Sequence, residues 1–410
     1  MKYNFLIILL IIIFVIGYVF LLGVEKFSEK KRVCIVGGGI SGIAIYRELM
    51  DKYDVTLYEA DEKLGGACET VEGINMGVMY MLEKSYSKLY KLFRENNMRM
   101  KKINMSAMIT TDRKKYWGSS YKGKLWDNMN TWVTQLKKDM ENIDSFPKEM
   151  LLIDYLSHYT EEFRKNYVYP MMGIVLATDL YMPLRTFAQY YYELPFLHDT
   201  EWEIPEIGAQ GYIQELTKDF KNVRLNTRVE KVERTIEGIK VNGEDYYDYI
   251  VFCMPIGDLN KIIVNKSKEE ESVYNTFKYF NLTAILHEDE SVYPKNMPMQ
   301  ALYFHDGKND VRTLMFNYDP KKPHEKKGPF LTYINSEQKL DITGKIHSIR
   351  KWKHLLFNRD TLKNKKRLKK LQGVNNTFYA GIDTTLEEVS HEMAYRSGLE
   401  VAEKLNSLFG

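Results

Sequence analysis

The hydrophobic pattern opens with an uninterrupted uncharged run, Phe5 to Val24, rich in Ile, Leu, Phe and Val. A helix rises about 1.5 Å per residue, so a run of this length can cross a hydrocarbon core of ~30 Å. The pattern therefore predicts one transmembrane helix within residues 1–25. No small-x-small cleavage signal follows Gly23, which favours a retained anchor over a removed leader. Lys2 precedes the run, and Lys26, Lys30, Lys31 and Arg32 follow it. That bias predicts a single-pass membrane protein with its large C-terminal part on the cytosolic side.

The pattern then shortens. Val33-Cys34-Ile35-Val36 is a β-branched apolar run, followed by glycines, an apolar-periodic stretch from Ile40, and Val55-Thr56-Leu57-Tyr58. This reads as buried parallel strand, helix, buried parallel strand. Lys84 to Asn97 predicts an amphipathic helix with Tyr86, Leu89, Tyr90 and Phe93 on one side. From about Lys101 to Trp202 the pattern is helical and rich in Tyr, Trp and Met; Tyr116, Trp117, Tyr121, Trp126 and Trp132 read as pocket or core aromatics. A helix is predicted over Ile213 to Phe220, a strand over Val223 to Val232, a hairpin strand over Ile239 to Gly243, and a buried strand over Tyr249 to Pro255. Thr283–His287, Leu302–Phe304 and Phe330–Asn335 read as strands of a second sheet. Thr377 to Asp383 reads as a strand ending in G-x-D, and a last helix runs from about Ser390 to Leu408.

Length and charge narrow the classes. The 410 residues suffice for two interleaved domains, and a net charge of +3 makes no global case for nucleic acid. Cys34, Cys68 and Cys253 form neither a metal-binding spacing nor a disulfide framework, so no metal is expected. Arg359 to Lys370 is densely basic and reads as a solvated helix face or a contact for anionic lipid heads. No aromatic platform interleaves with those charges, which argues against nucleic acid.

The candidate chemistry begins at Gly37, Gly39 and Gly42, a G-x-G-x-x-G between strand and helix. Gly37 permits the tight turn, Gly39 lets a pyrophosphate approach, and Gly42 lets the helix pack on the strand. Free N–H groups at the helix start, including Ile40 and Ser41, would face the phosphates. Glu59, followed by Ala60, closes the next strand about twenty residues on, where an acid binds ribose hydroxyls. Leu64-Gly65-Gly66-Ala67 follows, and Gly381-Ile382-Asp383 and His391-Glu392-Met393-Ala394 mark the end of the chain.

Together these stretches resemble the flavin-containing amine oxidoreductase superfamily, most closely bacterial amine-oxidase-like members. The resemblance covers nearly everything after the apolar run. It implies an α/β fold in which a Rossmann-type FAD-binding domain is interleaved with an α+β substrate domain. The expected segments are 31–80, 206–264 and 351–410 for FAD and 81–205 and 265–350 for substrate. By the same resemblance, Gly65, Gly66 and Ala67 lie against the FAD pyrophosphate and Gly77 lets backbone approach the flavin. Val229 meets the adenine through its backbone, Gly381 and Asp383 hold the ribityl region, and Glu392, Met393 and Ala394 point the last helix at the pyrimidine ring. A helix N-terminus there stabilises the negative charge of reduced flavin. This sequence departs from the usual pattern at Ala67, where Arg is common, and at Gly208-Ala209, where a Gly pair is common. No cysteine follows Gly381, so the FAD is expected to be non-covalent.

The implied activity is hydride transfer from a substrate C–H to flavin N5, from an amine or from a lipid-like chain. His391 and Glu392 are the candidates for acid/base or electrostatic roles, with helix capping as the structural alternative for both. The alternatives are an FAD-dependent desaturase or isomerase of lipids or polyenes, and a catalytically silent flavoprotein scaffold. An NAD-dependent dehydrogenase fits Gly65-Gly66 and the closing motif less well.

Overall fold

The computed structural model describes residues 30–408, apart from 79, 104–106, 111–115, 119–122, 170–171, 173–179, 194–201, 293–300, 306–309, 316–327, 336–340 and 387–389. The predicted transmembrane run lies outside the described residues. Among the described residues no helix is long and apolar enough to cross a membrane.

In chain order the main elements are β1 (Arg32–Val36), α1 (Ile40–Leu49), β2 (Asp54–Tyr58), α2 (Ser87–Glu95), β3 (Ala107–Thr110), β4 (Tyr116–Gly118), α3 (Gly123–Glu141), α4 (Leu184–Glu193) and α5 (Gly208–Thr217). There follow β5 (Val223–Arg224), β6 (Val232–Thr235), β7 (Gly238–Val241), β8 (Asp245–Tyr247), β9 (Tyr249–Phe252), β10 (Lys278–His287), β11 (Ala301–His305), β12 (Asp310–Met315), β13 (Phe330–Asn335) and β14 (Ile346–Leu356). The chain closes with α6 (Thr361–Lys370), β15 (Thr377–Tyr379) and α7 (His391–Ser407).

One sheet is parallel, in the order β15-β9-β1-β2-β5. Its central strands are buried on both faces, which is why β1 and β9 read as continuous apolar runs rather than alternating ones. The chain leaves β1 toward β2 on one side, while β9 joins from the other. The strand order thus reverses at the C-terminal end of β1, which opens a crevice there. A small antiparallel sheet, β6-β7-β8, carries the hairpin.

The second large sheet runs β14-β10-β13-β12-β11-β3-β4 and is antiparallel except where β11 meets β3. Thr283–His287, Leu302–Phe304 and Phe330–Asn335 all fall in its strands. The expected division at 350/351 falls inside β14, because that strand pairs with β10 along its whole length. The predicted strand over Val223 to Val232 is two strands: Val223-Arg224 extends the parallel sheet, and the chain then turns before Val232 enters the hairpin. Asn226 sits at φ +51° in that turn, which ends the extended run. The helix expected from Ile213 starts earlier, at Gly208.

Two helices meet at backbone distance. A Cβ on Gly398 of α7 would stand 2.5 Å from the Ser41 carbonyl oxygen of α1 and 2.8 Å from the Ala44 Cβ. A Cβ on Gly42 would stand 2.1 Å from the Gly37 carbonyl oxygen. Glycine is thus required for the last helix to reach the first. Gly398→Val is expected to destabilise the fold by about 2–3 kcal/mol through overpacking, measured by chemical or thermal unfolding; a change under about 0.5 kcal/mol would contradict this packing.

Candidate functional site

The crevice at the strand-order reversal continues into a cavity of about 450 Å³. Its floor is backbone from three loops. The turn after β1 contributes Gly39, Ile40 and Ser41; the loop after β2 contributes Gly65, Ala67 and Gly77; the turn after β15 contributes Gly381 and Asp383. His391 and Ala394 enter from the start of α7.

Hydrogen bonds lock these loops together. Gly65 N–H donates to the Gly38 carbonyl at 2.8 Å, laying the two glycine loops side by side. Glu59 accepts the Gly38 N–H on Oε2 at 2.7 Å and the Asp61 N–H on Oε1 at 2.9 Å. Each carboxylate oxygen keeps a lone pair for a further donor. Gly65 and Gly66 have φ of +128° and +57°, which only glycine adopts freely. Gly381 N–H donates to Ser397 Oγ at 2.8 Å, tying the last strand turn to α7.

Two features mark a ligand cradle. A Cβ on Gly39 would meet nothing within 4 Å, so that backbone faces open space. Asp383 is 4% exposed; its Oδ2 accepts from Ile256 N–H at 3.0 Å and from the Tyr279 hydroxyl, while Oδ1 is buried without a hydrogen-bond partner. Burial pushes the Asp383 carboxyl up, against the pull of Tyr279, Ile256 N–H and Lys365. A buried polar oxygen of this kind has room for a donor from a ligand or an ordered water.

Other expected residues lie around this cavity rather than in its lining. Gly37, at φ +110°, forms the tight turn, Gly42 packs against the Gly37 carbonyl, and Glu59 and Gly66 sit on the joined glycine loops, while Ala60, Val229, Glu392 and Met393 do not line the cavity. The Val229 side chain is buried among apolar side chains, and the contact expected of this residue was through its backbone. Gly77 does line the cavity, but its missing Cβ is needed first by protein: it would stand 2.4 Å from the Ala67 carbonyl oxygen. Glu392 is fully buried and accepts the Lys88 and Leu89 N–H groups at 3.0 and 2.9 Å. It caps α2 and pairs with Arg396 at 3.3 Å, so its carboxylate has a structural duty in place of the expected acid/base role. The Met393 N–H is taken by the Ser390 side chain, the N-cap of α7.

His391 remains at the cavity. Its Nε2 bonds the Tyr212 hydroxyl and lies 3.5 Å from Cys68 Sγ, which in turn is 2.8 Å from that hydroxyl. Burial pushes the imidazole down to about 3 and the Cys68 thiol up to about 12, so both are neutral at physiological pH. His391 is therefore a neutral polar group rather than a cation.

The outer part of the cavity is aromatic and apolar. Tyr80 stacks on Trp202 at a centroid distance of 3.7 Å. Met81, Leu82 and Tyr86 flank them, and Leu282, Tyr333 and Trp352 face in from the large sheet. Sequence periodicity missed these residues because they come from loops and three separate strands; their joint burial is visible only once the sheet forms. Of the aromatics read as pocket candidates, Trp132 packs on Tyr159 and Phe163 in the helical core. Tyr121 and the side chains of Tyr116, Trp117 and Trp126 lie outside the described residues.

The basic stretch is also revised. Lys365 is buried, and Arg359, Lys366 and Arg367 pair with Asp154, Glu149 and Glu269. Lys363, Lys369 and Lys370 are exposed.

The profile of the family described as flavin containing amine oxidoreductase matches residues 40–345. The chain belongs to this family. It is a flavin-dependent oxidoreductase by that membership. The fold is similar to that of a fatty acid isomerase from P. acnes that produces CLA (TM-score 0.69, 15% identity, covering 94% of this chain and 100% of that one). It is also similar to cyclohexylamine oxidase from Brevibacterium oxydans IH-35A (0.66, 14%, 92% and 100%) and to putrescine oxidase (0.64, 13%, 92% and 99%). No curated protein matches the chain in sequence. The cradle fits the flavin expected of this family: open backbone at Gly39 for phosphates, and an unpartnered Asp383 oxygen for a hydroxyl.

Two variants check the site of this amine oxidoreductase family member. Gly39 is extended (φ −71°, ψ 178°) and faces open space. Gly39→Val should therefore leave apoprotein stability within about 0.5 kcal/mol, because nothing is displaced, yet abolish flavin uptake. Glu392→Ala strips the cap of α2 and should cost about 2–3 kcal/mol of stability while flavin stoichiometry at saturation stays unchanged. A loss of flavin without loss of stability would restore Glu392 to the site.

Proposed function

We propose that the chain is an oxidoreductase with non-covalent FAD that acts on an uncharged or anionic, lipid-like chain. The flavin, when bound, supplies hydride acceptance from a substrate C–H. The observation that carries the substrate class is the outer chamber. It brings together Tyr80, Met81, Leu82, Tyr86, Trp202, Leu282, Tyr333 and Trp352 with Lys353 and His354 beside them, and the one carboxylate in the cavity's described lining, Asp383, belongs to the flavin cradle. A cationic amine would be desolvated there without a counter-charge, which is strongly unfavourable. An apolar chain would be stabilised by roughly 25 cal/mol for each Å² it buries.

The protein's own part is to exclude water and orient the chain. Tyr333 is fixed by donating its hydroxyl to the Met76 carbonyl, and Tyr279 by its bonds to Asp383 and the Gly257 N–H. Neutral His391 with Tyr212 offers a hydrogen-bonding edge at the cavity without adding charge. A desaturase or isomerase outcome fits this chamber better than amine oxidation. The apolar run at residues 5–24 supports a single-pass anchor with the folded part on the cytosolic side, which suits a lipid-like substrate.

The test is anaerobic addition of free fatty acids, and separately of aliphatic amines, to the flavin-loaded protein. Fatty acids should bleach the oxidised-flavin band or yield a product with a shifted or new double bond, and amines should do neither. Bleaching by amines alone would reverse the substrate class. Bound flavin that responds to neither would favour the scaffold reading.

A further inference from the structure

Lys365 is the one buried lysine among the described residues, 1% exposed in the middle of α6. Its ammonium donates to the Ile382 carbonyl at 3.2 Å and to the Thr385 carbonyl at 2.8 Å. It stands 5.1 Å from the centre of the Phe357 ring. No carboxylate among the described residues closes an ion pair with it. Burying a charge in that state is costly, and a lysine serving only to fill space would be replaced more favourably by an apolar residue. The two carbonyls it holds bracket Asp383, whose Oδ1 is the unpartnered acceptor in the flavin cavity.

We propose that Lys365 is a positioning residue for the flavin: its buried ammonium fixes the Ile382–Thr385 turn and so keeps the Asp383 carboxyl aimed at the bound cofactor. The inference rests on the flavin reading of the cavity. Without the lysine, the Ile382 carbonyl keeps only the Thr385 hydroxyl as a side-chain donor, the Thr385 carbonyl loses the ammonium, and Asp383 loses a positive charge that favours its ionised form. Burial alone would drive that carboxyl toward its neutral form, in which one oxygen becomes a donor rather than an acceptor.

The arrangement has a pH signature. Burial pushes Lys365 down to about 8, opposed by Asp383. The groups facing it are Asp383 on the turn and His354 on β14; burial holds His354 down, so it is neutral. Tyr279 on β10, whose hydroxyl reaches Asp383, is pushed well above its usual range and stays neutral. Asp258 is occupied by Lys353 at 2.5 Å. Below about pH 8 the ammonium is charged and the turn is held. Above it the charge is lost, so flavin affinity should fall as pH rises.

The experiment is the dissociation constant of FAD for the full-length apoprotein, by flavin fluorescence, from about pH 6.5 to 9.5. For the wild type, affinity is expected to be level near neutrality and to fall about three- to tenfold by the alkaline end. Lys365→Met should bind FAD at least about tenfold more weakly at neutral pH, with a level profile. A Lys365→Met protein that binds as tightly as wild type overturns the inference, as does a level wild-type profile. Should Lys365→Met fail to fold, the wild-type profile decides alone. A wild-type chain that takes up no FAD at any pH overturns the flavin reading and this inference with it.

Discussion

Backbone-to-backbone contact at the end of β1 is the constraint on which the rest depends. The turn after Val36 must be tight enough for Gly42 to lie against Gly37, and α1 must leave room for Gly398 of α7 to lie against Ser41. Residues more than 350 positions apart are thereby packed without side chains between them. This closeness brings the start of the last helix and the turn after β15 to the glycine loops, so that all three share one cavity floor. Any side chain at these glycines would separate the helices and open the floor.

Buried charge secures the assembly around that contact. Glu392 of α7 caps α2, which joins the last helix to the segment after the first domain portion. Glu69, held by Lys63 and Arg350, pins the loop after β2 to the edge strand of the large sheet and is kept below the usual carboxylate range by those cations. Arg234 and Glu270 form a bidentate pair, with Thr377 accepting from the same guanidinium. In each case a carboxylate from one segment satisfies donors from another. The interleaved segments are therefore tied by directional bonds as well as by apolar burial.

The parallel sheet, its glycine loops and the closing strand-to-helix turn were legible in the sequence because each has a local cause: β-branched runs, glycines at fixed offsets, a capping serine. Roles that depend on distant partners were not. Glu392 sits beside the cavity in sequence, yet its carboxylate turns to α2, where it satisfies two N–H groups at the start of that helix. Lys365 lies in a stretch with the composition of a solvated face, and only the placement of α6 against the turn after β15 shows that it is buried. The aromatic chamber was unreadable for the same reason: Trp202, Tyr333 and Trp352 converge through a sheet order that no local pattern encodes.

The direction of β1 sets where a ligand sits. The described chain enters at the N-terminal end of the parallel sheet, where Lys31 pairs with Asp248, and the cavity floor is built from turns at the strands' C-terminal ends. Five residues at about 3.3 Å each separate the two, roughly 17 Å. The glycine turn after β1, the turn after β15 and the start of α7 converge on one end of the sheet, so a ligand held there has the whole length of β1 between it and Lys31.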